Sequence, residues 1–241
     1  MQNFELISFA TADELARAVA GAWLDEIAAA NRAGKPQYVA LSGGRIAQKF
    51  FPSVAALAKA KQVLPVGVHF FWADERCVPP TDAESNFADA RRLLFEPLNI
   101  SKGQIHRIHG EELPEIAAAK ATAEICRIVP CNAERQPVLD LIFLGMGEDG
   151  HVASLFPGEA ESLVGDKTVY RAVKNSPKPP PQRITLGYAA IAAARQVWVL
   201  ASGTGKAAAL RESLGSSGQT PLARALQSRS HTRIFSDILL S

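Results

Sequence analysis

The sequence predicts an α/β fold: three layers, α/β/α, around a mostly parallel, Rossmann-like central sheet. Three observations carry this. Short aliphatic runs alternate with alanine-rich segments of helical spacing along the 241 residues. The run Val138-Leu139-Asp140-Leu141-Ile142-Phe143-Leu144 reads as a strand buried on both faces. Several such runs end in glycine turns, and the carboxyl ends of strands are where open α/β sheets bind ligands.

The elements follow in order. Thr11-Ala12-Asp13-Glu14 opens a helix, with Thr11 as cap and Glu14 closing a capping box. Alanine-rich spacing carries it to about Ala33, and Gly34-Lys35-Pro36 stops it. Tyr38 to Leu41 is a strand. Arg45 to Lys61 is helical, with an interruption expected near Pro52. Val66 to Trp72 is the next strand; Asn86 to Phe95 and Glu115 to Ile128 are helices. After the central strand come strands at Val169–Val173, Arg183–Leu186 and Val197–Ala201. Gly205 to Glu212 and Pro221 to Gln227 are helical, and Thr232 to Phe235 is a last strand. Ser176-Pro177-Lys178-Pro179-Pro180-Pro181 is a stiff loop and not a domain linker, so residues 1–241 are expected to form one domain.

Composition narrows the function. Basic and acidic residues number 26 and 24, and a net charge of +2 gives no reason to expect nucleic acid or a membrane surface as partner. Apolar runs break well before bilayer length. The first residues, Met1 to Ile7, carry no signal-peptide pattern, so a cytoplasmic protein is expected. Cys77, Cys126 and Cys131 are odd in number and form no C-x-x-C pair, which predicts reduced thiols and no structural zinc. No histidine lies in a metal-ligand motif, and no metal or cofactor is expected. The sequence sets no oligomeric state.

Chemistry concentrates at strand ends. Gly145-Met146-Gly147-Glu148-Asp149-Gly150-His151 follows the central strand and brings two carboxylates and an imidazole, groups suited to proton transfer near neutral pH. Ser42-Gly43-Gly44-Arg45 ends one strand and opens a helix, exposing amides at the positive helix end beside a planar cation. It is neither G-x-G-x-x-G nor a Walker loop, which argues against dinucleotides and nucleoside triphosphates. Asp74-Glu75-Arg76 follows another strand, and Ser85-Asn86 stands where it can cap the next helix. Ser202-Gly203-Thr204-Gly205-Lys206 offers glycines, hydroxyls and a lysine. Several anion-binding loops and one proton-transfer loop together point to a phosphorylated small molecule.

These residues resemble the 6-phosphogluconolactonases, in a larger group with glucosamine-6-phosphate deaminases and ribose-5-phosphate isomerases. Four blocks between Phe9 and Phe235 carry the likeness: Leu41–Gly44; Asp74-Glu75-Arg76 with Val78-Pro79 and Ser85-Asn86; Gly145–Gly158; and Arg183-Ile184-Thr185-Leu186 with Gly203–Ala207. The third is the most specific, differing from the lactonase pattern mainly by Val152 in place of threonine. Deaminases carry Phe-Asn-Glu-Pro where this chain has Ser154-Leu155-Phe156-Pro157, and Asp-Glu-Tyr where it has Asp74-Glu75-Arg76. One departure concerns the first loop: the family's Ser-Gly-Gly-Ser-Thr-Pro is here Ser42-Gly43-Gly44-Arg45-Ile46-Ala47.

The resemblance implies hydrolysis of 6-phospho-D-glucono-1,5-lactone, a small phosphorylated sugar lactone, in the oxidative pentose phosphate pathway. His151 is then the base that activates water and returns a proton to the ring oxygen. Asp149 orients the imidazole or its loop, Glu148 is a lesser candidate at a position that varies, and Arg183 is a candidate oxyanion contact. Ser42, Gly43, Gly44, Arg45, Arg76, Asn86 and Lys206 are the expected substrate and phosphate contacts, with Arg45 replacing the missing hydroxyls. An amino-sugar-phosphate deaminase or isomerase, and a non-catalytic sugar-phosphate sensor, remain as alternatives.

Overall fold

A computed structural model of the chain describes residues 3–240. Met1, Gln2 and Ser241, which the signal-peptide reading and the one-domain expectation include, lie outside the described residues. The strands are β1 (Phe4–Ser8), β2 (Gln37–Leu41), β3 (Val68–Trp72), β4 (Asp74–Arg76), β5 (Leu141–Gly145), β6 (Tyr170–Val173), β7 (Arg183–Leu186), β8 (Gln196–Ala201) and β9 (Thr232–Ser236). The α-helices are α1 (Ala12–Arg32), α2 (Ala47–Lys61), α3 (Asn86–Ala90), α4 (Pro114–Ile128), α5 (Glu161–Val164), α6 (Tyr188–Ala193), α7 (Ala207–Leu214) and α8 (Pro221–Gln227).

Six strands form a sheet in the order β1-β9-β8-β5-β2-β3, every pair parallel. Such strands are buried on both faces, which is why β5 and β8 are nearly continuous aliphatic runs. The chain places β3 on one side of β2 and β5 on the other, so the strand order reverses between β2 and β5. That switch point is where open α/β sheets form their crevice. Helices flank the sheet, and Trp23 of α1 and Phe50 of α2 close on Phe143 of β5 at ring separations of 5.0 and 4.8 Å. Aromatic pairs at this spacing add to the area they bury.

The Thr11 cap acts as expected at α1, with Thr11 Oγ1 accepting from Glu14 N at 3.1 Å, but the Glu14 carboxylate accepts from Ala10 N at 3.2 Å, one residue before the N–H that would close a capping box. Elsewhere the structure differs. α2 runs through Pro52 without a break; the proline only deprives the Gln48 carbonyl of its helical donor. Asn86–Phe95 is α3 continued by a π-helical turn at Arg91–Phe95. β1, β4 and α6 had not been expected; Asp74-Glu75-Arg76 in particular has little strand propensity. The strands β6 and β7 do not join the parallel sheet. With β4 they form a second, antiparallel sheet in which β7 pairs with both β4 and β6, order β4-β7-β6. Ala73 hinges the two sheets: its N–H donates to Leu41 O and its carbonyl accepts from Leu186 N, both at 2.8 Å.

Candidate active site

The carboxyl ends of β2, β3 and β5 and the start of β7 surround one small cleft of about 90 Å³, with Lys206 from the turn after β8 closing it. His151 enters from the β5 loop. Its Nδ1 lies 2.5 Å from Asp149 Oδ1, and Asp149 Oδ1 also takes the His151 amide at 3.3 Å. The loop must pass close to this pair: a Cβ at Gly147 would overlap the imidazole and the Asp149 carboxylate. The Phe156 ring stands 4.8 Å from the imidazole. Burial lowers the His151 pKa, although Asp149 pulls it upward. Burial by itself would raise the Asp149 carboxyl, yet the charge and hydrogen bonds of His151, with Lys178 beyond, hold it below its ordinary value. The pair is therefore a carboxylate and a neutral imidazole near pH 7. With Nδ1–H donating to Asp149, Nε2 carries the free lone pair.

Beneath the imidazole lies a saturated polar layer. Asp74 Oδ2 accepts from Ser154 Oγ at 2.7 Å, and Asn86 Nδ2 donates to Asp74 O at 2.9 Å and Asp74 Oδ1 at 3.3 Å. Glu75, also buried, accepts from Arg76 N, Ser85 Oγ, Asn86 N and Phe87 N at 2.7–3.0 Å. It ties β4 to the start of α3, and Ser85 caps that helix through Ala88 N. Arg183 is buried and forms no ion pair among the described residues. Its Nε donates to Pro180 O at 3.1 Å, its Nη2 to Lys178 O at 3.2 Å and Pro179 O at 2.9 Å, and its Nη1 to Ser154 Oγ at 3.4 Å.

Other groups that line the cleft are less fully engaged. Arg76 Nη1 donates to Glu84 O at 2.6 Å, but its buried Nε has no hydrogen-bond partner among the described residues. Lys206 is 8% exposed, with no carboxylate in ion-pair range among the described residues. Burial lowers its pKa, with the Arg45 charge adding to the effect. Gly43 packs so close to Asn86 that a Cβ there would overlap the amide. Gly44, at φ +91°, starts the turn into α2, whose first N–H groups have no side-chain cap. Cations and unpaired donors facing one cavity suit an anion.

The expected contacts divide accordingly. Gly43, Gly44, Arg76, Lys206, Arg183 and His151 line the cleft together. Ser42 and Asn86 also border it, but the Ser42 hydroxyl donates to Phe143 O at 2.8 Å, binding β2 to β5, and the Asn86 amide nitrogen is engaged by Asp74. Arg45 sits at the rim, 81% exposed, 3.2 Å from Glu148, which is 58% exposed. Glu148 thus pairs across the mouth and leaves the imidazole to Asp149. Val152 is fully buried among apolar neighbours, so its exchange for threonine falls in the core and not in the cleft. Asp74, Ser154 and Lys178 had not been singled out for the site. Asp74 carries a local signal, its place at a strand end; the others become visible only through partners distant in sequence.

Other groups fall outside this constellation. A larger cavity of about 1220 Å³ lies by the β3 edge, between the α3 region and α4. It contains His106, which bonds His69 at 3.0 Å and Glu124 at 3.2 Å, but none of the groups around His151. Burial pushes the Cys77 thiol up to about 11, which makes it a poor nucleophile.

Fold and cleft define the class: an α/β protein with a carboxylate–imidazole pair at a sheet switch point and cations lining the same cleft. Residues 10–234 match the family described as "Glucosamine-6-phosphate isomerases/6-phosphogluconolactonase", and the chain belongs to that family. A 6-phosphogluconolactonase of Mycobacterium bovis is 41% identical over 164 residues, covering 66% of this chain and 65% of the relative's length. One from Haemophilus influenzae is 33% identical over 206 residues, covering 86% and 84%. The crystal structure of a devB protein superposes with a TM-score of 0.85 at 31% identity, over 97% of this chain and 96% of that one.

Proposed function

We propose that this protein hydrolyses 6-phospho-D-glucono-1,5-lactone to 6-phospho-D-gluconate, a step of the oxidative pentose phosphate pathway. One observation carries the reading: the His151–Asp149 pair opens onto a cleft that also holds the unpaired donors of Arg76 and Lys206. The names borne by the mycobacterial and Haemophilus relatives support it.

The substrate phosphate lies against Arg76, Lys206 and the Gly43-Gly44 turn. Anchoring this remote group holds the lactone carbonyl near His151, converting binding energy into position. His151 Nε2 takes a proton from water as the water oxygen bonds to the carbonyl carbon. The tetrahedral intermediate collapses, the carbon–ring oxygen bond breaks, and the imidazolium returns its proton to that oxygen. Asp149 holds the Nδ1–H tautomer throughout. The ring ester is reactive, and the reaction moves protons without moving electrons. No metal or organic cofactor enters this scheme.

We treat the chain as one domain, on the support of Ala73 bonding into both sheets. Its free thiols suit the reducing cytoplasm, where we place the reaction. No helix among the described residues is long and apolar enough to cross a membrane.

The test is acid release from freshly made 6-phosphogluconolactone, corrected for spontaneous opening, beside ammonia release from glucosamine 6-phosphate. Acid release above the blank is the expected result. Ammonia release alone would make the chain a deaminase, and ligand-induced stabilisation without turnover a sensor.

A further inference from the structure

We propose that Lys178 is a positioning residue of the reaction: carried on a loop clamped by Arg183, its ammonium faces Asp149 and keeps His151 in the neutral form that accepts a proton. This rests on reading His151 as the base.

The loop is built to hold one backbone shape. Pro179, Pro180 and Pro181 have no N–H groups, so the segment presents carbonyls and few donors. A buried guanidinium gathers three of those carbonyls, from Lys178, Pro179 and Pro180, at 2.9–3.2 Å. Ser176 closes the loop from the other side. Its Oγ donates to Lys178 O at 2.7 Å and accepts from Lys178 N at 3.2 Å, while its own N–H donates to Pro181 O at 2.8 Å. Both the N–H and the carbonyl of Lys178 are therefore held. From this mount the Lys178 Nζ lies 3.9 Å from Asp149 Oδ1, the same oxygen that faces His151 Nδ1.

The arrangement answers a chemical difficulty. A carboxylate is needed to hold the imidazole tautomer, but its charge also stabilises the imidazolium, which is useless as a base. A cation beside that carboxylate offsets the second effect and leaves the hydrogen bond intact. The charged groups around His151 are Asp149 on its own loop, Asp74 from β4, Lys178 from the proline loop, and Arg76, Arg183 and Lys206 along the cleft. Asp149 and Asp74 favour the imidazolium, whereas Lys178 disfavours it. Arg183 is engaged by carbonyls, and Arg76 and Lys206 line the cleft. Among the described residues, Lys178 is the cation in ion-pair range of the dyad itself.

The experiment compares wild type, Lys178→Met and Lys178→Arg as full-length proteins. It records the pH dependence of kcat/KM and, independently, the titration of the His151 ring by NMR on histidine-labelled protein, assigned with His151→Gln. Lys178→Met is expected to move the acid limb and the ring titration upward together by roughly 0.5–1 pH unit, since the cation is half-exposed. Below the limb, kcat/KM then falls about 3–10-fold; at alkaline pH it stays at the wild-type level. Lys178→Arg restores both curves. An unmoved ring titration overturns the proposal. So does an equal loss of kcat/KM at every pH with raised KM, which would make Lys178 a substrate contact. If the wild type releases no acid from the lactone, the lactonase reading fails, but the ring titration still decides the role of Lys178.

Discussion

Two sets of polar groups around the cleft are built on opposite plans. Around His151 nearly every polar atom has a partner: Asp149 on the imidazole, Ser154 and Asn86 on Asp74, four backbone and hydroxyl donors on Glu75, carbonyls on Arg183. In the second set, the buried Arg76 Nε and the Lys206 ammonium have no partner among the described residues. The difference suits the two tasks proposed for them. A base works only if its tautomer, direction and proton affinity are set before substrate arrives. An anion site works only if its donors are not already satisfied, because an internal partner competes with the ligand.

Removing the preset group gives the largest effect. His151→Ala is expected to lower kcat by about 10²–10⁴-fold while leaving phosphate binding and the melting temperature nearly unchanged. A folded variant with wild-type turnover would take His151 out of the mechanism. Glu75→Ala attacks the saturated layer from below. With four donors left unsatisfied in a buried place, it is expected to cost about 2–4 kcal/mol of stability, measured by urea unfolding. A loss within error would mean that water enters and that this layer is less closed than its geometry implies.

The second set responds in affinity. Arg76→Ala and Lys206→Ala are each expected to raise KM for the phosphorylated lactone about 10–100-fold and to leave unphosphorylated gluconolactone nearly unaffected. Equal losses on both substrates would erase the distinction between the two sets. The pH profile sharpens it. Burial disfavours the His151 imidazolium, so the acid limb of kcat/KM is expected with its midpoint below 6.5, the ordinary imidazole value. Activity is then full at neutral pH and is lost as pH falls through that midpoint. A midpoint above 6.5 would show that the Asp149 charge outweighs burial.

Arg45 gives the smallest effect. Its pair with Glu148 is exposed and screened, so Arg45→Ala is expected to change stability by no more than about 0.5 kcal/mol. Affinity for the phosphorylated substrate separates two roles for this side chain. If Arg45 leaves Glu148 to meet the phosphate, Arg45→Ser weakens binding, and replacing Arg45-Ile46-Ala47 by Ser-Thr-Pro restores it. Unchanged affinity in both variants makes the Arg45–Glu148 pair a rim contact with no part in recognition.

Much of the fold was legible because its signals are local. Thr11 and Glu14 cap α1 within one turn, and β5 is recognisable from its own run of aliphatic residues. The seven residues from Gly145 to His151 carry glycines, carboxylate and imidazole within a single turn, so they stand out as a candidate site without tertiary information. Glu75 is the counterexample. In sequence it looks like part of a charged surface run, but in the folded chain it is buried beneath α3, because the donors that satisfy it come mainly from residues 85–87.

By itself, then, the sequence determined the alternation of strands and helices, the glycine turns at strand ends and the closeness of Asp149 to His151, since each depends on residues within a turn or a strand of one another. Tertiary structure decided the second sheet, the clamp of Arg183 on the proline loop, the approach of Lys178 to Asp149, and the pairing of Arg45 with Glu148. The clamp of Arg183 is the nearest of these in sequence, and the Arg45–Glu148 pair joins residues 103 apart. Most depend on which strands become neighbours in space. Strand order is set by how all the buried faces pack at once, and no short stretch of residues encodes that.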